Sequence, residues 1–301
     1  MNNVTSRRDA LLMRGATIAS VSVAVALILI KLAAYILSGS VSLLSSLIDS
    51  LIDSLASMVN FFAVRQALEP ADMEHRFGHG KAEPLAGMVQ AAFITGSSLF
   101  LFFEAGFRLL NPHYIEYANV SIVVMGISLV VTIILVIFQQ YVVKETNSVA
   151  IRADSIHYVS DILQNLCVIL ALVLSTKFNL PIADPLFALF IGTYILYSAW
   201  QIARQSYDQL MDREMPDEDR DRIRKIALSH PSVRNMHELR TRLSGRNIFI
   251  QLHLEMDGGL SLYEAHTVAD YVEESLRNAF PNADVIIHED PTGIFERRQA
   301  L

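Results

Sequence analysis

Six long apolar segments, separated by short polar connections, occupy the first two thirds of the chain. They cover residues 14–37, 41–66, 84–109, 119–142, 149–175 and 185–207. A helix needs about 20 mostly apolar residues to cross a bilayer, and each segment is long enough. The pattern therefore predicts an all-α membrane domain of six spanning helices over residues 1–211.

A different pattern begins at about residue 212 and predicts a second domain over residues 212–301. The charged run MDREMPDEDRDRIRKIALSHP predicts a helix, and NMHELRTRLSG and NIFIQLHLEM predict two strands joined at Ser244-Gly245. The next segment predicts a helix, and ADVIIHED predicts a third strand. The apolar positions of that second helix recur at helical spacing, at Leu262, Ala265, Val268, Ala269, Val272 and Leu276. The order αββαβ indicates a small two-layer α/β domain.

Basic residues mark one side of the membrane. Alternate connections carry them, at Arg7, Arg8 and Arg14, at Arg65, Arg76 and Lys81, and at Lys144 and Arg152. The connections between these are almost free of Lys and Arg. Because cytoplasmic loops are enriched in basic residues, this pattern predicts that both termini and the C-terminal domain are cytoplasmic.

Composition narrows the possible partners. The chain is 52% hydrophobic and 18% charged, against averages of about 45–50% and about 25% in soluble domains. Its net charge of −7 argues against nucleic acid as a partner. The single cysteine, Cys167, excludes an intrachain disulfide and a cysteine-built metal site, and its apolar surroundings indicate a packing role.

Two pairs of ionisable residues interrupt the apolar segments. Asp49 and Asp53 lie in the second segment, and His157 and Asp161 lie in the fifth. An ionisable group at the centre of a spanning helix costs about 2.5–3.5 kcal/mol, so such groups usually mark an ion or substrate path. Residues four apart share a helix face, so facing helices would bring together four oxygen and nitrogen donors, as a tetrahedral Zn²⁺ site requires. The alternative is polar contact between helices without an ion.

Histidines are concentrated in the C-terminal domain. His237, His253, His266 and His288 are accompanied by Asp290, which shares a strand face with His288. Imidazole and carboxylate are the ligands that Zn²⁺ takes where cysteine is absent. The alternative is that these are ordinary polar residues on the exposed face of a sheet.

A third cluster of candidate ligands lies in the loop ADMEHRFGHGKAEP after the second segment. Asp72, His75 and His79 could bind one ion, with Gly78 and Gly80 permitting a tight turn. Three protein ligands would leave one position open. A solvated loop also needs polar residues, so an ion-free loop is an equal alternative.

The DxxxD and HxxxD pairs, the FGHGKAE run and the histidine-bearing C-terminal domain resemble the cation diffusion facilitator family, from about Arg14 to Thr292. The resemblance implies a homodimer in the bacterial inner membrane and a metallochaperone-like cytoplasmic fold. It also implies that Asp290 bridges two ions in the cytoplasmic site, and that Lys81 and Asp212 form an interdomain ion pair. Glu289 stands where the family pattern suggests an amide.

These features together predict a proton-coupled antiporter that exports Zn²⁺ from the cytoplasm by alternating access, with Cd²⁺ and Fe²⁺ as further candidate ions. Metal and protons compete for the same ligands, and His157 is the residue best suited to exchange a proton near neutral pH. No GxxxxGK[ST] nucleotide loop is present. A membrane metallohydrolase would carry an activating Glu, as in HExxH, whereas this chain has HYVSD. A metal sensor would not need carboxylates within the membrane.

Overall fold

The computed structural model describes residues 2–38, 41–110, 119–178 and 183–293, and side chains over 7–37, 46–107, 109–110, 123–166 and 186–293. The side chain of Cys167 and the connections after the first, third and fifth helices lie outside these ranges. The chain divides into two compact units, with the boundary between Tyr207 and Asp208. The predicted division after residue 211 lies close to this boundary, just beyond the last helix of the first unit.

The first unit consists of long helices. Their bounds are α1 Asn2–Ser38, α2 Val41–Ala67, α3 Ala82–Leu110, α4 Asn119–Thr146, α5 Val149–Phe178 and α6 Ala183–Leu210. Five of them, α1 to α4 and α6, are long and apolar enough over their described residues to cross a membrane. The membrane domain is therefore shown with five apolar helices. The sixth span, α5, carries more polar residues and stays a prediction.

Small buried residues hold α5 against its neighbours. Ala150 and Ala153 on α5 are completely buried, and Ala153 packs in one cluster with Ala91 of α3 and Ala199 of α6. Small side chains let helix backbones approach closely, which is the usual way that membrane helices associate. The packing places α5 inside the bundle, where its polar residues meet those of other helices.

The second unit has the predicted element order. It contains α7 Asp217–Ala227, β1 Val233–Ser244, β2 Asn247–Met256, α8 Leu262–Ala279 and β3 Ala283–Pro291. The strands form one sheet in the order β1-β2-β3, with β1 antiparallel and β3 parallel to β2. The turn between β1 and β2 includes Gly245 at φ 58°, a left-handed conformation that glycine adopts without strain. The predicted αββαβ order and the hairpin are confirmed.

The core of the second unit lies on one face of this sheet. Leu252 and Leu254 of β2 pack with Val272 and Leu276 of α8. Because side chains alternate along a strand, the odd-numbered residues of β2 lie on the opposite face. The predicted apolar face of α8 is confirmed except at its start, since Leu262 is 82% exposed. This residue directly follows the helix N-cap and does not reach the core.

Candidate metal centres

Helices α2 and α5 bring together three of the four ionisable residues predicted within the membrane. Asp53, His157 and Asp161 each offer a ligand atom, and these atoms lie within 4.8 Å of one another. His157 Nε2 is 3.0 Å from Asp53 Oδ1, and His157 is only 4% exposed. We call these three residues the transport cluster, after the role predicted for them. It contains one nitrogen and two carboxylate donors at a spacing that a single cation could bridge.

Asp49 lies one helical turn before Asp53 and is exposed. It is absent from the group of three residues whose ligand atoms converge. The two aspartates share a helix face, as predicted, but only Asp53 lies directly opposite His157. The role of Asp49 as a fourth ligand stays a prediction.

Lys31 of α1 is a charged residue beside this cluster that the sequence analysis missed. Its Nζ donates hydrogen bonds to Ser50 Oγ at 2.6 Å and to the carbonyl oxygen of Ser46 at 3.2 Å, both on α2. The signal was available in the sequence, because this is a lone lysine within the first apolar segment.

Asp154 of α5 is a second missed residue, and it is 1% exposed. Its Oδ2 accepts hydrogen bonds from Ser20 Oγ at 2.6 Å and Gln139 Nε2 at 2.7 Å. Its Oδ1 accepts from Gln90 Nε2 at 3.1 Å and from Ser57 Oγ at 3.5 Å. One carboxylate thus connects α5 to α1, α2, α3 and α4, one turn before the histidine of the transport cluster. Buried polar groups normally find such partners, and here all four donors are uncharged side chains.

The loop between α2 and α3 also brings its predicted ligands together. Asp72, His75 and His79 each place a ligand atom within 4.8 Å of the others. His79 Nε2 lies 3.3 Å from Asp72 Oδ2, and the two imidazole centroids are 4.6 Å apart. Gly78 has φ 79°, so this glycine makes the left-handed turn that returns His79 to Asp72.

Backbone hydrogen bonds orient the carboxylate of Asp72, which is one of the three candidate ligands in this loop. Its Oδ1 accepts from the N–H of His75 at 2.6 Å and from the N–H of Glu74 at 2.9 Å. These bonds, the one from His75 first, hold the pKa of the Asp72 carboxyl below its usual value. The Asp72 carboxylate therefore stays anionic under mildly acidic conditions.

A row of histidines crosses all three strands of the second unit. His237 of β1 pairs with His253 of β2, and His253 pairs with His288 of β3. Asp290 lies two residues beyond His288 and so shares its face of the sheet. We call these four residues the sheet cluster. It lies on the face opposite the apolar core.

Asp290 connects the members of the sheet cluster. Its Oδ2 is 2.8 Å from His253 Nδ1 and 3.5 Å from His237 Nε2, and its Oδ1 is 3.2 Å from His288 Nε2. The two oxygens thus face different imidazoles, as a carboxylate between two ions would. Next to His237, β1 has an irregular register and Glu238 has φ 49°. Bulges of this kind commonly re-aim side chains beside functional sites.

Two further site assignments concern His266 and the pair of Lys81 and Asp212. His266 lies on α8, which packs on the core side of the sheet, and its Nε2 is 3.5 Å from Asp270 of the same helix. Its membership of the cytoplasmic site stays a prediction. Asp212 lies 3.4 Å from Arg242 within the second unit. Lys81 belongs to the first unit, so the Lys81–Asp212 ion pair also stays a prediction.

Comparisons with known proteins cover both units. A family model described as the cation efflux transmembrane domain matches residues 17–211, and one described as the cation efflux protein cytoplasmic domain matches residues 215–292. The cation-efflux pump FieF of Shewanella oneidensis is 48% identical over 276 residues, which is 92% of this chain and 93% of that protein. FieF of Klebsiella pneumoniae is 48% identical over 284 residues, 94% of each chain. A solved structure of the proposed zinc transporter CzrB in a zinc form is 33% identical and covers 29% of this chain and 99% of its own, with a TM-score of 0.27.

Proposed function

Because this chain belongs to the cation efflux, or cation diffusion facilitator, family, we propose that it exports Zn²⁺ from the bacterial cytoplasm in exchange for protons. Family membership makes it a multi-pass membrane transporter of metal cations and excludes the metallohydrolase alternative. The choice of Zn²⁺, the coupling to protons and the orientation of the termini are our inference.

The observation that carries the proposal is the transport cluster, whose histidine is buried and whose two aspartates are partly buried. A divalent ion cannot enter the bilayer interior without replacing its water ligands, since desolvating a charge is very costly. Asp53, His157 and Asp161 supply replacement ligands where α2 and α5 meet. Ionisable residues that cost free energy within a membrane are usually retained for such a path.

The donor set favours Zn²⁺. Imidazole suits Zn²⁺ and other late first-row ions, whereas sites made only of oxygen donors suit Mg²⁺, Ca²⁺ and Mn²⁺. His157 provides the nitrogen donor and the aspartates provide oxygens. Cd²⁺ and Fe²⁺ remain further candidate ions, because the same donors accept them.

Competition between metal and protons would couple their movements. A metal ion needs deprotonated ligands, so its binding releases protons and protons arriving at the site displace it. His157 Nε2 and Asp53 Oδ1 already share a hydrogen-bonding contact at 3.0 Å. A proton held between these two atoms and a metal ion bound to them would compete for the same lone pairs. Exposing the cluster alternately to each side would then exchange one for the other.

The sheet cluster supports a separate, structural role for metal in a homodimer. Its three histidines and the bridging-capable Asp290 could hold two ions per subunit on a face that the core leaves open. The second unit matches the cytoplasmic domain of the family. We place this domain and both termini in the cytoplasm, where the loop site of Asp72, His75 and His79 would meet the incoming metal.

Proteoliposome transport with a panel of metals tests this function. Purified protein should move Zn²⁺ in the presence of an opposing pH gradient, and collapsing the gradient should slow the movement. Mn²⁺ should be a poor substrate. Equal Zn²⁺ rates with and without the gradient would contradict proton coupling, and preference for Mn²⁺ would contradict the assigned ion.

A further inference from the structure

We propose that Lys31 is the fixed counter-ion of the transport cluster, whose charge makes the metal-loaded site electrically neutral and weakens metal binding enough to permit release. This inference rests on the proposed function and adds a residue of α1 to a site otherwise built from α2 and α5.

The position of Lys31 follows from its hydrogen bonds. Its Nζ is held by Ser50 Oγ at 2.6 Å and by the carbonyl oxygen of Ser46 at 3.2 Å. Ser50 precedes Asp53 by three residues, and helix residues three apart are neighbours on one face. The ammonium group is therefore anchored about one turn from a ligand of the cluster. Its electrostatic partners are the carboxylates of Asp53, Asp161 and Asp49.

The charges of this region then balance. Metal binding requires deprotonated ligands, so in the metal-loaded site Asp49, Asp53 and Asp161 carry three negative charges and a neutral His157 adds none. A divalent ion leaves one negative charge in excess, and the ammonium of Lys31 cancels it. In a low-dielectric interior an uncompensated charge is costly, so this balance favours a divalent cargo. The sum counts the carboxylates that interact electrostatically with Lys31. Asp154 is not among them, and its own hydroxyl and amide donors solvate its carboxylate.

A fixed positive charge also opposes the metal. Coulomb repulsion between the ammonium and a dication is strong where the effective dielectric constant is low. Removing the charge should tighten metal binding and slow release. A lysine that only ties α1 to α2 would behave differently, since its removal would loosen the site and weaken binding.

Equilibrium Zn²⁺ binding by the full-length protein separates these roles. The background carries Asp72→Ala, His253→Ala and Asp290→Ala, which remove ligands of the loop site and the sheet cluster, and a further Asp53→Ala provides the blank. Measurements at about pH 8 minimise competition from protons. In this background, Lys31→Gln and Lys31→Met should each bind Zn²⁺ at least about tenfold more tightly. Lys144→Gln, the same loss of charge at an exposed position, should leave the affinity unchanged.

The comparison of Gln with Met distinguishes charge from tethering. Gln can still hydrogen-bond to Ser50, and Met cannot. If Lys31 only tethers α1 to α2, Zn²⁺ binding should weaken in the Met variant alone. If Lys31 is a counter-ion, Zn²⁺ binding should tighten in both variants. Affinities within twofold of the background, or weaker, would overturn the proposal. If neither neutral variant folds, Lys31→Arg decides. An arginine that restores folding and background affinity supports the charge, and one that restores neither overturns it.

Transport kinetics provide a second readout. Lys31→Gln in the otherwise wild-type chain should lower both the KM and the kcat for Zn²⁺, because a tighter site fills at lower concentration and empties more slowly. An unchanged kcat with an unchanged KM would contradict the counter-ion. Failure of the proposed function would instead appear as a wild-type protein that moves no Zn²⁺, while the binding measurement would still decide the role of Lys31.

Discussion

His157 Nε2 of α5 lies 3.0 Å from Asp53 Oδ1 of α2, and this contact joins the two polar helices inside the membrane unit. The residues are far apart in the sequence, and each belongs to a pair spaced by one helical turn. Their contact turns two separate patterns into one site. Asp161 completes the site from the turn of α5 that follows His157.

Removal of either carboxylate should abolish zinc transport. Asp53→Ala and Asp161→Ala each delete a ligand atom of the transport cluster, so uptake into proteoliposomes should fall to the level of empty liposomes. Size-exclusion chromatography should still show a folded dimer. Asp284→Ala, which removes an exposed carboxylate of β3, is the matched control and should transport normally. Near-normal uptake by either cluster variant would refute the site.

The imidazole should control metal selectivity. His157→Asp replaces the nitrogen donor of the cluster with oxygen, so the relative rate for Mn²⁺ should rise against those for Zn²⁺ and Cd²⁺. Competition uptake with the three ions measures this shift. Unchanged ratios would locate selectivity elsewhere in the protein.

Asp154 should stabilise the membrane unit. Asp154→Ala removes the acceptor of the Gln90 amide and leaves the Gln139 amide with Ser20 alone. The loss of such buried hydrogen bonds costs roughly 2 kcal/mol. The variant should melt at a lower temperature in detergent. Asp154→Asn, which keeps one acceptor oxygen, should lose less. A melting temperature equal to that of the wild type would show that these contacts add little stability.

The sheet cluster should bind zinc and strengthen the dimer. The double variant His253→Ala, Asp290→Ala should lose bound zinc, melt lower and dimerise less tightly. Metal that binds only the assembled form stabilises it by about 2.7 kcal/mol at one hundred times the dissociation constant. The control variant is His230→Ala, which removes a histidine that lies outside the sheet cluster and packs on Tyr271. This variant should keep its bound zinc. Equal zinc content and dimer affinity in the double variant and the wild type would make these histidines ordinary strand surface.

The start of α8 should respond to pH through Glu264. The Ser261 hydroxyl, and then its backbone N–H, donate to the Glu264 carboxylate and lower its pKa. A carboxyl whose pKa is lower in the folded state stabilises the fold above its unfolded pKa, and this contribution is lost as the pH falls through the folded value. Hydrogen exchange in the first turn of α8, corrected for the intrinsic rate, should therefore rise in acid. Ser261→Ala removes the hydroxyl donor and keeps the backbone N–H, so it should reduce this pH dependence, and an unchanged response would contradict it.

The sequence by itself determined what depends on local spacing. Apolar runs long enough to cross a bilayer identify the membrane domain, and period-two and helical patterns identify αββαβ. The four-residue spacing within each pair puts Asp53 on the face of Asp49 and Asp161 on the face of His157, whatever the helices pack against. The loop ADMEHRFGHGKAEP contains all of its candidate ligands, so Asp72 and His79 could be identified without knowledge of the fold.

Only the tertiary structure decided which of these faces meet. The packing of α5 on α2 brings His157 to Asp53 but not to Asp49, and the angle between two helices cannot be derived from either alone. Strand register aligns His237 with His253 and His288. His266 lies on α8, and this helix covers the face of the sheet opposite the sheet cluster. Lys31 and Asp154 are single polar residues in apolar helices, and their partners come from other helices. The contacts of these two residues depend on how the helices pack together, and the local hydrophobic pattern does not encode that packing.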